Sequence, residues 1–192
     1  PRLASVSSAV TAGGRLFAII DEASPANIHL PGKWSIVARD AFSGVTLWKK
    51  PLPDWTWHQL RFRSGPPQVT RLLVVSDDRL YVPLGLNEPI SAIDAATGET
   101  LTTYDETAGA EEMILVDGTL VVLMGAPVAE QAFRHPAFQA SYEQPNMKTV
   151  AAVDTRSGKT LWQWAEVKGS PMPETLASDG RRVFLQVGEG VV

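Results

Sequence analysis

Short apolar runs separated by glycine- and aspartate-rich turn pairs recur along the whole chain. Leu16, Phe17, Ala18, Ile19 and Ile20 follow Gly13 and Gly14, while Leu80, Tyr81 and Val82 follow Asp77 and Asp78. Leu120, Val121, Val122 and Leu123 follow Asp117 and Gly118. Such β-branched and aromatic runs, punctuated by turn residues and lacking a helical period, predict strands joined by tight hairpins. A second unit follows each of them. It reads Ala38, Asp40, Ser43, Gly44, Thr46, Leu47; then Ala92, Asp94, Thr97, Gly98, Thr100, Leu101; then Ala152, Asp154, Ser157, Gly158, Thr160, Leu161. The frame is A-x-D-x-x-[ST]-G-x-T-L, closed by Trp48 in the first copy and Trp162 in the third. A fourth instance of the first unit, from Asp179 and Gly180 to Leu185, stands alone near the C-terminus.

The frame is turn chemistry. Its glycine supplies a positive φ, and its aspartate accepts hydrogen bonds from backbone N–H groups of the same turn. Four strands are therefore expected in each repeat: 5–10, 15–21, 34–40 and 45–50 in the first; 71–75, 79–84, 90–95 and 99–104 in the second; 112–116, 119–124, 149–154 and 159–164 in the third. A half repeat adds 174–177 and 182–187. Four-stranded antiparallel units repeating along a chain predict an all-β fold, the β-propeller, with blades over 4–51, 69–105 and 111–165 and a half blade over 174–192.

These repeats resemble the tryptophan-docking motif of the quinoprotein-dehydrogenase-like (PQQ-like) β-propellers. That group includes dehydrogenases of alcohols and sugars that use pyrroloquinoline quinone (PQQ), together with non-enzymatic propellers of the outer-membrane assembly machinery. The resemblance implies a ring of about seven or eight blades, of which three and a half are present, so the chain reads as a segment of a larger propeller or multidomain protein. It implies that Trp48 and Trp162 pack across to the next blade, each burying roughly 150–250 Å². Thr102 stands where the second repeat should carry Trp, with Tyr104 placed to cover part of that surface. The resemblance also implies a periplasmic or cell-envelope setting, and PQQ with calcium as the family's cofactors.

Composition narrows the chemistry. The 192 residues carry 17 Lys and Arg against 21 Asp and Glu, for a net charge of −4, which argues against an electrostatically driven nucleic-acid binder. The absence of cysteine excludes disulfides, thiolate metal sites and a thiol nucleophile, including the vicinal cysteine pair of many PQQ dehydrogenases. The longest nearly unbroken apolar run is interrupted by Gly125 and Pro127 and is too short to span a membrane. No leader precedes Pro1, so any export signal is expected to have been removed or to lie outside this sequence.

Candidate chemistry concentrates in three insertions: 22–33, 52–68 and 126–148. In an up-and-down blade all three leave from the end opposite the repeat turns, so they are expected on one face, where binding usually resides. They hold His29, His58 and His135, without the close spacing that a metal site needs. The second insertion interleaves Trp55, Trp57 and His58 with Arg61 and Arg63, a composition that can stack on and pair with a planar anionic ligand, exposed bases or a peptide. The structural alternative is that the tryptophans cap the space between blades while the arginines lie in water. Residues 128–135 can form a helical turn or two before Pro136. Glu111 and Glu112 are adjacent on a strand and face opposite ways, which argues against a shared acid–base site. Asp40, Asp94 and Asp154 are expected to serve the fold. The functional expectation is a non-catalytic docking platform for a protein or ligand. The alternative is part of a PQQ-dependent dehydrogenase whose catalytic residues lie elsewhere. Strand edges at both ends also predict self-association of an isolated segment.

Overall fold

A computed structural model describes residues 6–23, 32–53, 71–85, 87–125, 148–167, 174–187 and 190–191. The first repeat is an antiparallel meander of β1 (Val6–Ala12), β2 (Arg15–Asp21), β3 (Trp34–Asp40) and β4 (Thr46–Pro51), hydrogen-bonded in that order. The second contains β5 (Val74–Ser76), β6 (Arg79–Pro83), β7 (Ile90–Asp94) and β8 (Thr100–Tyr104). The third contains β9 (Ala110–Val116), β10 (Thr119–Met124), β11 (Lys148–Asp154) and β12 (Thr160–Val167), each again in chain order. The fold is therefore all-β, built from four-stranded antiparallel blades, as the repeats predict.

The tight hairpins form where the turn pairs stand. Gly13 and Gly14 both take positive φ, as do Asp117 and Gly118, the backbone that a two-residue hairpin matched to strand twist requires. Within each blade this hairpin is tied to the repeat turn. Ala41 N donates to Gly14 O at 2.8 Å, Ala95 N to Asp78 O at 2.8 Å and Thr155 N to Gly118 O at 3.0 Å. The two kinds of turn thus share one end of the blade, and the β2–β3 and β10–β11 connections leave from the other.

The chain divides into two compact units: residues 1–86 with 91–103, and residues 87–90 with 104–192. In the first unit, Phe17, Ile19, Ile36, Val82 and Ile93 are fully buried, drawn from the middle strands of their sheets. In the second, Val121, Leu123, Val150 and Ala152 form a core with Leu176 and Leu185, flanked by Ile114, Val183 and Val187. Packing of the half repeat against the third blade is thereby defined, and the Glu112 side chain reinforces it by accepting from Leu176 N at 3.2 Å.

The half repeat differs in detail from the expected strands over 174–177 and 182–187. It forms β13 (Ala177–Ser178) with β14 (Val183–Phe184), then β15 (Gln186–Val187) with β16 (Gly190–Val191). Leu185, at 2% exposure, is pulled into the core at the point where the ladder breaks, and β16 begins a third strand against β15.

Candidate functional site

The repeat turns are the most repetitive chemistry in the chain, and in each one the aspartate is consumed locally. Asp40 Oδ1 accepts from Phe42 N at 3.1 Å and Ser43 N at 2.7 Å, and Asp94 Oδ1 from Ala96 N at 2.8 Å and Thr97 N at 2.7 Å. Asp154 Oδ1 accepts from Ser157 N and Ser157 Oγ, both at 2.6 Å. Asp179 repeats the arrangement with Arg181 N and Arg182 N. Hydrogen bonds to the charged form hold all four carboxyls below the usual carboxylate range. The backbone N–H of Ser43, Thr97 and Arg181 dominates for Asp40, Asp94 and Asp179, and the Ser157 hydroxyl for Asp154.

A folded-state pKa below the unfolded one stabilises the fold above the unfolded pKa, about 3.9, and that stabilisation is lost as pH falls through the folded value. Thermal melts from pH 6 to pH 2.5 should therefore show a falling Tm below about pH 4. A triple variant, Asp40→Asn with Asp94→Asn and Asp154→Asn, should start lower at pH 6 and lose less on acidification. An equal acid slope in the two proteins would remove these turns as its source.

Next along the chain come the aromatic positions that follow the turns. Trp48 Nε1 donates to Ala95 O at 3.1 Å, and Lys50 Nζ to Gly98 O at 3.1 Å. The indole lies so close over Gly98 that a Cβ there would meet Trp48 Cδ2 at 2.9 Å. In the second unit Tyr104, 2% exposed, donates from its hydroxyl to Thr155 O at 2.9 Å and lies beside Gly158. Thr155 occupies the place in its repeat that Ala95 holds in the preceding one, so Tyr104 reaches the equivalent carbonyl from two residues beyond Thr102. Thr107, fully buried, fixes this corner by accepting from Ile90 N at 2.8 Å and donating to Tyr104 O at 2.7 Å. Tyr104→Phe should cost about 1–2 kcal/mol in a denaturant titration, because it leaves a buried carbonyl without that donor. A loss under about 0.5 kcal/mol would show the bond to be dispensable.

Trp162 behaves differently from the expectation that it packs across to a neighbour. It remains 43% exposed, and Trp164 45% exposed.

The insertions leave through braced necks. At the first, Asp21 Oδ1 accepts from Ala23 N and Lys33 N, both at 2.9 Å, and Glu22 N donates to Lys33 O at 2.8 Å. The Glu22 carboxylate pairs with Lys49 and accepts from Ser35 Oγ; the Lys49 hydrogen bond is the main reason its carboxyl lies below the usual range. The second insertion is held by apolar ends, with Leu52, Leu72 and Leu73 all buried and Leu52 N donating to Trp34 O at 2.9 Å. In the second unit, the third insertion is closed by Gly125 N donating to Gly109 O at 3.0 Å and by an ion pair between Glu111 and the buried Lys148. Glu111 and Glu112 thus have separate partners and form no acid–base pair.

The predicted ligand-facing residues Trp55, Trp57, His58, Arg61 and Arg63 lie outside the described residues, as do His29 and His135. Among the described residues no three His, Asp or Glu side chains come together as a metal-ligating group. No described helix is long and apolar enough to cross a membrane. Sequence reasoning missed the Glu111–Lys148 clamp and the Thr107 bridge, because neither carries a local pattern.

Four-stranded meanders with aspartate-stapled turns and a docked aromatic define a chain of propeller blades. Residues 32–192 match the family described as outer membrane protein assembly factor BamB, and the chain belongs to that family. No curated protein matches it. Among solved structures, the Pyrococcus horikoshii acylaminoacyl peptidase aligns at 10% identity and a TM-score of 0.61, over 95% of this chain and 28% of that one. A europium-containing methanol dehydrogenase aligns at 14% identity and a TM-score of 0.50, over 89% and 30%. Quinohemoprotein alcohol dehydrogenase from Comamonas testosteroni aligns at 17% identity and a TM-score of 0.47, over 85% and 21%. The chain spans less than a third of the length of each of these structures, and at such identities the likeness concerns the fold alone.

Proposed function

We propose that the chain is a non-catalytic stretch of PQQ-like β-propeller, with blades over 4–51, 69–105 and 111–165 and a half blade over 174–192. It acts as a protein-interaction or ligand-docking platform within a larger periplasmic or cell-envelope protein. The observation that carries this reading is the division of labour along each blade. The turn aspartates, Trp48 and Tyr104 are spent on the scaffold, whereas the insertions depart from necks braced by Asp21, by Leu52 with Leu72 and Leu73, and by the Glu111–Lys148 pair. Rigid necks under long loops are the arrangement that presents a binding surface without burdening the fold. The family description, an outer membrane assembly factor, supports the envelope setting and a protein partner.

On this reading Trp55, Trp57, His58, Arg61 and Arg63 form the ligand-facing surface of the second loop. The competing function is quinone-dependent oxidation of alcohols or sugars. Titrating PQQ with Ca²⁺ into the full-length protein, followed by tryptophan emission, separates the two. Emission that changes only linearly, as inner filtering demands, is the expected result. Saturable quenching abolished by Arg61→Ala with Arg63→Ala would replace the platform with a dehydrogenase segment.

A further inference from the structure

Strands β4, β8 and β12 each stand last in the order of their sheet, with no described strand on the far side. Such an edge presents a row of backbone N–H and C=O groups, a template for pairing with another chain. Two of the three strands protect it by ordinary means. β4 carries Lys49, Lys50 and Pro51, and β8 stops after five residues at a 3-10 turn over Asp105–Thr107. β12 has neither defence. It is the longest of the three, eight residues over Thr160–Val167, and holds one charge, Glu166, with no lysine, proline or glycine. A β-prone, nearly uncharged run of this kind is the composition that favours edge-to-edge association.

What β12 has instead is a broken ladder. Ala152 stands opposite Trp162 while Val153 stands opposite Thr160, which leaves Leu161 as an extra residue. Lys148 stands opposite Val167 while Val150 stands opposite Trp164, so residues 165 and 166 together oppose Thr149. Regular pairing is thereby cut to residues 162–164. β4 has one such bulge, at Leu47, and keeps residues 48–51 in register. The bulge leucines add little to a core. Leu161 is 57% exposed and Leu47 46%, the latter although Trp48 beside it is docked on Gly98. Their consequence is geometric, because a bulge bends and over-twists its strand and turns the edge away from a partner. We infer that the two bulges of β12 are the device that keeps the outer edge of the third blade from pairing with a strand of another molecule, in place of the lysines and proline that guard β4. The inference concerns a strand edge and not the insertions, so it stands independently of the platform reading.

Deleting Leu161 from the full-length protein removes a bulge without removing a pair, since Thr160 stays opposite Val153 and Trp162 opposite Ala152. Light scattering after size exclusion should then give a mass above the parent protein's as concentration rises, reversed on dilution, with the parent far-ultraviolet circular dichroism retained. Deleting Ala165, which removes the other bulge, should act in the same way and decides the matter if the first deletion does not fold. Leu161→Ala shortens the side chain but keeps the bulge, so it should leave the mass unchanged. So should deletion of Leu47, because Lys49, Lys50 and Pro51 remain on that edge. Gln163→Lys, placed in the Leu161 deletion, should restore the parent mass by charging the edge. A folded deletion variant that keeps the parent mass overturns the inference. Association shared by Leu161→Ala or by the Leu47 deletion, or left standing by Gln163→Lys, does the same. Loss of the fold in both β12 deletions would assign the bulges to folding and overturn it equally.

Discussion

Trp48→Ala should lower stability by about 3 kcal/mol, a Tm loss of roughly 6–12 °C for a chain of this size. The half-buried indole makes three contacts that alanine cannot replace: the Nε1 bond to Ala95 O, the face laid on Gly98, and a tilted ring contact with Phe17 at 6.0 Å between centroids. The same contact can be attacked from the other side. Gly98→Ala adds a Cβ at 2.9 Å from two ring atoms, at a residue with φ of +79°, so steric and backbone costs combine to about 2–4 kcal/mol. Gly44 supplies the control. Its φ is +73°, yet among the described residues nothing lies within 4 Å of a Cβ built there, so Gly44→Ala should cost only the backbone strain of about 1–2 kcal/mol. Introduced into Trp48→Ala, Gly98→Ala should fall to that smaller cost, giving a coupling of about 1–2 kcal/mol in a double-mutant cycle. Additive losses would mean that the ring and the glycine do not meet.

Glu111→Gln comes next in size. Lys148 is 5% exposed and Glu111 is its ion-pair partner, so the amide leaves an ammonium with its solvation largely removed and its counter-charge gone. Fully buried pairs lose about 3–5 kcal/mol in this way; with the Glu111 side chain 29% exposed, screening reduces the expectation to about 2–4 kcal/mol. Removing both charges together, as Glu111→Leu with Lys148→Met, should cost less than the single change, because no uncompensated charge is left behind. Chemical denaturation of the three proteins decides the matter. If the double variant is the least stable, the pair stabilises by net attraction rather than by mutual neutralisation.

The contrast between what could be read from the chain and what could not follows the range of the forces involved. The turns around Asp40, Asp94 and Asp154 are fixed by hydrogen bonds spanning two or three residues, so their residue pattern is written contiguously. Strands β2 and β3, beside those turns, fall at the residues expected of them. Docking of Trp48 was carried by the repeated motif. The substitution of Tyr104 for the missing tryptophan depended on a phenol reaching a carbonyl 51 positions away. Trp162 shows the limit of the motif: the same residue at the same register position is exposed, because a side chain's burial depends on what is set against it. Lys148 could be read only as the end of an insertion, since its partner is 37 residues earlier and a register shift in β9 falls beside that partner. The proposed loop residues, from Trp55 to Arg63, are outside the described residues, and their assignment rests on composition.

The neck at Asp21 has an implication for protein engineering. One carboxylate oxygen gathers the N–H groups of Ala23 and Lys33, and the Glu22 N–H closes onto the carbonyl of Lys33. Among the described residues, the clasp is made by residues that flank the span it closes, so these bonds do not depend on the identity of what lies between. Closing a longer flexible span costs only about 0.6 kcal/mol for each doubling of its length. A foreign epitope spliced between Ala23 and Gly32 should therefore be displayed from an unchanged frame.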